Sequence, residues 1–204
     1  EVNSGCNTFD GYENRVSVWR KEELPKVLIH EMVHSLNLEK HTGYGLLEEL
    51  VYNRFDVRRI NRFNMFENYV ELVAEIINIC LTMIENGKKD LKTFNKLLSL
   101  ECRHCLFQVA KILNYFGYKK WQEFYKEQGF EEGRKSNKYL QKSNVFSYFV
   151  LRSLIMFNIV DFIELCKTEN TKNLFKQEFD CDKLLPIMIK TLNDEKYVEI
   201  INKN

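Results

Sequence analysis

The stretch His30-Glu31-Met32-Val33-His34 governs how the rest of the chain is read. Residues four apart on an α-helix stack on one face, so His30 and His34 can offer two imidazole nitrogens to a single metal ion. Glu31 is not needed as a ligand. Its carboxylate can reach a water activated by the metal and act as general base, which is the mechanical content of an HExxH turn. The chain has only four histidines, and two of them are placed at this spacing. The plainer alternative is a pair of helical histidines that are exposed or satisfied within a core.

The flanks support a helix. Glu22 and Glu23 suit the positive end of a helix, and Pro25 falls in its first turn, where a missing N–H costs nothing. Val27, Leu28, Ile29, Met32, Val33 and Leu36 surround the motif with apolar side chains, which predicts a largely buried helix ending near Asn37. Upstream, Arg15 to Arg20 sets Val16 and Val18 against Arg15 and Ser17, a short strand with one buried face, while Asn3-Ser4-Gly5 and Asp10-Gly11 read as turns. Downstream, His41 to Gly45 reads as a loop, Leu46 to Tyr52 as a short helix, and Arg54 to Arg62 as a basic connection. Met65 to Asn86 then has helical spacing, with Val70, Val73, Ala74, Ile77 and Leu81 as its apolar stripe and Gly87 as its stop.

The remainder is helical too. Lys89 to Phe116 reads as one or two helices and Lys119 to Gln128 as another; Glu131 to Lys142, with Gly133, is the loop or lid candidate. Asn144 to Lys167 forms a strongly apolar helix carrying Tyr148 and Arg152 four apart, and one or two helices follow around Leu174 and Leu184. Eight glycines and two prolines in 204 residues agree with a mainly α-helical, α+β chain. Its length and its 45% hydrophobic content suit a single domain over residues 1–204, divided into a metal-site half at 1–87 and a helical half at 88–204.

A net charge of +1 speaks against nucleic acid or an anionic membrane surface as partner, and no apolar run is long enough to span a bilayer. The six cysteines are scattered through apolar stretches, which suggests reduced thiols and an intracellular setting. Cys102-Arg103-His104-Cys105 lies within a helical pattern, so core cysteines are preferred there to a second zinc site. The absence of an initial methionine suggests a fragment or a processed product.

Catalytic zinc takes three protein ligands and leaves one position for water. His30 and His34 supply two, and His41, Glu71, Glu75 and Glu48 are candidates for the third. Glu71 is preferred, because its helix can pack against the motif helix and Glu75, one turn on, could accept the other N–H of a ligand histidine. Tyr148, His104 and Arg152 are candidates for stabilising charge in the transition state. Tyr148 comes first, against the alternative of a core aromatic with a tethered hydroxyl.

Together, Arg15 to Arg20, Lys21-Glu22-Glu23, the His30 to His34 turn and Glu71-Leu72-Val73-Ala74-Glu75 resemble a zincin metallopeptidase of the gluzincin type. The resemblance implies an edge strand before the HExxH helix and a zinc site completed by Glu71. Glu75 would stand where the family's Glu-x-x-x-Asp pattern has aspartate, and Tyr148 where the family often supplies a tyrosine or histidine. Asn3-Ser4-Gly5, Trp19-Arg20-Lys21-Glu22-Glu23 and Ser147-Tyr148-Phe149 add a similarity to uncharacterised metallopeptidase-like proteins of large DNA viruses. That similarity implies a viral protein acting in the infected host cell or virion.

The resemblance covers Asn3 to Asn78 and, loosely, the region of Tyr148. Only residues 1–29 precede the motif, so most of the family's sheet is absent, lies elsewhere, or comes from a partner or missing segment. The metzincin pattern fits less well, since it requires glycine where Asn37 stands and histidine where Lys40 stands.

The expectation is therefore a mainly helical, zincin-like domain with a short N-terminal strand region. It would use Zn2+ to hydrolyse peptide or isopeptide bonds in a peptide or protein substrate, held along the Arg15 to Arg20 strand if that edge is open. Two other classes remain. Glu31-Met32-Val33-His34 and Glu101-Cys102-Arg103-His104 are both Glu-x-x-His, as in a ferritin-like di-iron bundle, although residues 1–20 supply no first helix. A helical interaction domain without a site is the other. One zinc, two irons or no metal separates the three.

Overall fold

The computed structural model describes residues 4–9, 11–39, 44–58, 63–131, 135–136, 138–169 and 179–204. The architecture is mainly helical with a two-stranded sheet, the α+β class expected from the sequence. β1 (Gly5–Phe9) pairs antiparallel with β2 (Asn14–Val18), placing Gly5 opposite Val18 and Asn7 opposite Val16. Along β2, Val16 and Val18 are half-buried and Arg15 and Ser17 exposed, as the alternation predicts. β1 begins at Gly5, where a turn is expected from Asn3-Ser4-Gly5, while Gly11, with φ 96, lies in the bend between the two strands. The Cys-Asn-Thr run of β1 has no strong strand preference, and pairing with β2 decides its conformation.

After a 3-10 turn at Lys21–Glu23 comes α1 (Leu24–Ser35), with Pro25 in its first turn. Asn37 adopts φ 50, the left-handed conformation that ends many helices and that asparagine tolerates better than most residues. The N–H of Leu38 reaches back to the carbonyl of Val33, closing the turn. α1 is less buried than the largely buried helix expected. Leu24, Leu28, Met32 and Leu36, each four residues apart, are more than 40% exposed, while His30, Glu31 and Val33 on the other side are buried.

α2 (Gly45–Arg54) leads to α3 (Glu67–Glu85), the helix against which α1 chiefly packs. α3 in turn contacts α4 (Leu91–Tyr115), a single continuous helix whose first turn is capped by Asp90 accepting from the N–H of Thr93. The expected Lys119 to Gln128 helix shrinks to α5 (Trp121–Phe124), and Tyr125 leaves it to bridge to Phe55. Packing overrides helical spacing here: Phe55, Trp121, Phe124 and Phe146 are at most 1% exposed and meet edge to face. Each such burial contributes roughly 1.5–3 kcal/mol, more than the helical preference of a few polar residues.

The apolar stretch from Asn144 is not one regular helix. A π-helical turn (Phe146–Leu151) runs directly into α6 (Arg152–Met156), and α7 (Ile159–Glu169) follows a break at Phe157 and Asn158. A 3-10 turn at Cys181–Leu184 enters α8 (Leu185–Leu192), with Pro186 in its first turn, and α9 (Glu195–Lys203) ends the chain. The described part of Glu131 to Lys142 carries only an isolated bridge from Tyr139 to Val57; Gly133, His41 and Leu174 lie outside the described residues. Among the described residues, no helix is long and apolar enough to cross a membrane. All six cysteines are free thiols.

The hairpin sits directly on α1. A Cβ built on Gly5 would lie 2.5 Å from Cγ1 of Val27 and 3.0 Å from the carbonyl oxygen of Ser17. Gly5→Ala is therefore expected to destabilise the fold by about 1–3 kcal/mol, the usual cost of overpacking, read by denaturant unfolding. An unchanged midpoint would show that the strand can lift away from α1.

Candidate metal centre

The crossing of α1 over the start of α3 brings three donor atoms together. Nε2 of His30 and Nε2 of His34 are 3.1 Å apart. Oε2 of Glu67, in the first turn of α3, lies 3.3 Å from the former and 3.6 Å from the latter. Ligand atoms about 2.0–2.1 Å from a tetrahedral ion stand about 3.3 Å from one another, so the donor set fits zinc in both chemistry and spacing. Oε2 of Glu67 is buried without a properly aligned hydrogen bond, an orphaned acceptor that a cation would satisfy. Among the described residues, His30, His34 and Glu67 form the grouping that could hold a metal.

The expected third ligand was Glu71, but the structure places Glu67 nearer the Nε2 atoms. Oε2 of Glu71 accepts from Nζ of Lys26 at 2.6 Å and from the Arg152 guanidinium at 3.1 Å. Oε1 of Glu71 lies 3.5 Å from Nδ1 of His30, behind the ring. Glu71 thus occupies the backing position that the sequence reading gave to Glu75. Glu75 sits one turn deeper, 3.6 Å from both Lys26 and Arg152. Glu67, Glu71 and Glu75 are all four apart, so sequence spacing could not choose the register; the point where α3 meets α1 does. Glu48 lies in the first turn of α2, outside the grouping, and His41 is outside the described residues.

Glu39 was not foreseen. The left-handed turn at Asn37 returns the chain so that Nδ1 of His34 donates to Oε1 of Glu39 at 2.5 Å, with Glu39 only 1% exposed. The available signal was asparagine just past a helix end, which marks a reversal of direction.

Glu31 is buried beside the cluster, and burial raises its carboxyl above the ordinary range against the lowering pull of His30 and His34. Tyr148 comes from the π-helical turn, its ring centroid 6.0 Å from that of His30. Burial, reinforced by the charge of Glu67, keeps its phenol protonated well past the usual range. Asn144, one turn earlier, donates to Oε1 of Glu67 at 3.2 Å. A polar cleft of about 710 Å³ opens over His30, Glu31 and Tyr148, walled by Ser4 and Gly5 and by Glu101, His104 and Lys111 from α4. His104 is exposed and bonded to Gln108 on the outer wall, so the Glu101-to-His104 turn does not join the cluster. Among the described residues before α1 there is a hairpin and a 3-10 turn, not the glutamate-bearing helix that a di-iron bundle places first. Cys102 and Cys105 are pushed up by burial, as core thiols are.

Without a cation the cluster holds a proton. Burial alone would lower His34, but its hydrogen bond to Glu39 and the negative charge of nearby Glu67 outweigh that and hold it at about 10. Burial would raise Glu67, and the two facing imidazoles instead bring it down to about 2.

Comparison with known proteins gives one relative. The chain is 27% identical over 209 residues to the uncharacterized protein R210 of Acanthamoeba polyphaga mimivirus, an alignment covering 97% of this chain and 50% of that protein. The chain thus spans half the length of its viral relative. No family model and no solved structure matches it.

Glu67→Ala is expected to abolish stoichiometric zinc, whereas Glu71→Ala weakens it by about ten- to a hundredfold, as loss of a group behind a ligand does. Elemental analysis and chelator competition separate the two, and the reverse order would return Glu71 to the ligand set. Since a bound cation must displace the His34 proton, apparent affinity should rise about tenfold per pH unit between about pH 6 and pH 8. Calorimetry in buffers of different ionisation enthalpy reads the released proton.

Proposed function

We propose that the chain is the catalytic part of a zinc-dependent peptidase, hydrolysing a peptide or isopeptide bond in a protein substrate of the infected cell or virion. The supporting observation is the convergence of His30 Nε2, His34 Nε2 and Glu67 Oε2 at the mutual spacing of a tetrahedral ion, with the Glu31 carboxylate buried beside them. The similarity to a mimivirus protein supports the viral setting alone.

In this reading His30, His34 and Glu67 hold the ion, which when bound polarises the scissile carbonyl and acidifies water. Glu31 accepts the proton of the attacking water and returns it to the departing amine. Its burial makes it a stronger base than a solvated carboxylate. Tyr148, kept protonated by burial, donates its O–H to the oxygen that gains negative charge during attack. Arg152 and Lys26 hold Glu71 behind His30 and leave it unavailable as a competing base. Burial would raise Glu71, yet Lys26, His30 and Arg152 bring it down to about 2.

The strand given to the substrate shifts in this picture. On the cleft lie Gly5, the first residue of β1, Ser4 just before it and Arg20 beyond the end of β2, rather than the middle of Arg15 to Arg20. Gly5 lets the strand approach α1 closely, since any Cβ there would come within 3.3 Å of Oε1 of Glu31. An extended peptide would lie along this end of the hairpin.

Glu31→Gln should retain zinc and lose about 10²–10⁴-fold in turnover, because the ligands are untouched and only the base is removed. Near-normal turnover would remove Glu31 from the chemistry. Tyr148→Phe should lower kcat by about 10²–10³-fold with KM little changed, the pattern of a donor used only in the transition state. An unchanged kcat would return Tyr148 to the role of a core aromatic.

A further inference from the structure

Glu39 is a fully buried carboxylate at the centre that the proposed chemistry does not use. Its place is built from several directions. Asn37 turns the chain back in the left-handed region, the N–H of Leu38 closes on Val33, and Glu39 forms a parallel bridge with Phe179, whose N–H donates to the carbonyl of Leu38 at 3.2 Å. The Phe179 ring stacks flat on Tyr69 of α3 at 4.4 Å, so the segment before α8 fastens the Glu39 loop to the helix that carries Glu67. The carboxylate is thereby presented with Oε1 on Nδ1 of His34.

We infer that Glu39 is a positioning residue for the metal centre: it accepts the Nδ1 proton of His34, fixing the tautomer that turns Nε2 toward His30 and Glu67. A neutral imidazole can place its proton on either nitrogen, and only the Nδ1–H form leaves the Nε2 lone pair free for a cation. A carboxylate on the far nitrogen also makes the ring a better donor. His30 has Glu71 at 3.5 Å behind its Nδ1, a looser contact than the 2.5 Å of the His34 pair. His34 is therefore the more tightly held ligand, and Glu39 matters more to ion retention than Glu71 does. The inference rests on the zinc reading above.

The test uses zinc alone on the whole 204-residue chain, with affinity from chelator competition and apo-protein stability from thermal unfolding. Glu39→Ala should weaken zinc binding by about ten- to a hundredfold, more than Glu71→Ala does. Glu39→Gln retains an oxygen that can accept from Nδ1–H while losing the charge, so it should recover part of that loss and fold like the native chain. In the zinc-loaded protein, proton NMR should show the His34 Nδ1–H far downfield, and Glu39→Gln should move it upfield. Native zinc affinity in both variants, or an unmoved proton resonance in Glu39→Gln, overturns the role. If the unsubstituted chain takes up no zinc, the peptidase reading falls and this inference with it. If zinc binds and is lost in His34→Ala but not in either Glu39 variant, the inference alone falls. Should Glu39→Ala not fold, Glu39→Gln decides by its affinity and its resonance.

Discussion

The centre depends on a carboxylate being brought against two imidazoles that share a helix face. His30 and His34 stack because α1 is a helix, but nothing in α1 can supply the oxygen that sits between their Nε2 atoms. It comes from the first residue of α3, at the positive end of that helix, where a carboxylate is favoured. The α1–α3 contact is the most extensive between any two helices described, and it holds the two sides of the cluster in register. Val33 of α1 and Val70 and Val73 of α3 belong to the same buried core, all at most 2% exposed.

So much charge at the floor of a cleft demands compensation. Burial raises Glu75, which stands 3.6 Å from both Lys26 and Arg152, and the same two cations neutralise Glu71. Pairs of this kind seldom add stability over an apolar core, because desolvation consumes most of the attraction. Their value lies in order. Arg152 reaches α3 from α6 and Lys26 from α1, so the network ties together the elements that carry His30, Glu71 and Tyr148. Tyr148 arises from the π-helical turn, a widened backbone that often marks functional positions and here faces the ligand helix.

A second layer of order comes from far along the chain. Phe179 binds the Glu39 loop, Tyr69 stacks on Phe179, and Asp182 accepts from the N–H groups of Leu46 and Leu47 at the start of α2. The C-terminal segment thus supports the candidate ligands from behind. A division at residue 87 describes where the candidate ligands lie but not what holds them in place.

The amino-acid sequence by itself determined the elements whose chemistry is local. The HExxH spacing set two imidazoles on one helix face; Pro25, Asn37 and Gly87 marked helix ends; the valines of β2 revealed a half-buried strand; and scarce glycine and proline indicated a mainly helical chain. The tertiary structure decided whatever required two elements to meet. Glu67, Glu71 and Glu75 repeat every four residues, and a helix read alone presents all three on one face, so only the place where α1 crosses α3 singles out Glu67 as the candidate ligand. Glu39 is five residues past His34 and becomes its partner only because a left-handed turn and a bridge to Phe179 return it. The exposed leucines of α1, the broken helix after Asn144 and the shortened α5 follow from the same cause. Hydrophobic side chains state that they will be buried, but the surface that buries them is built by residues distant in the chain.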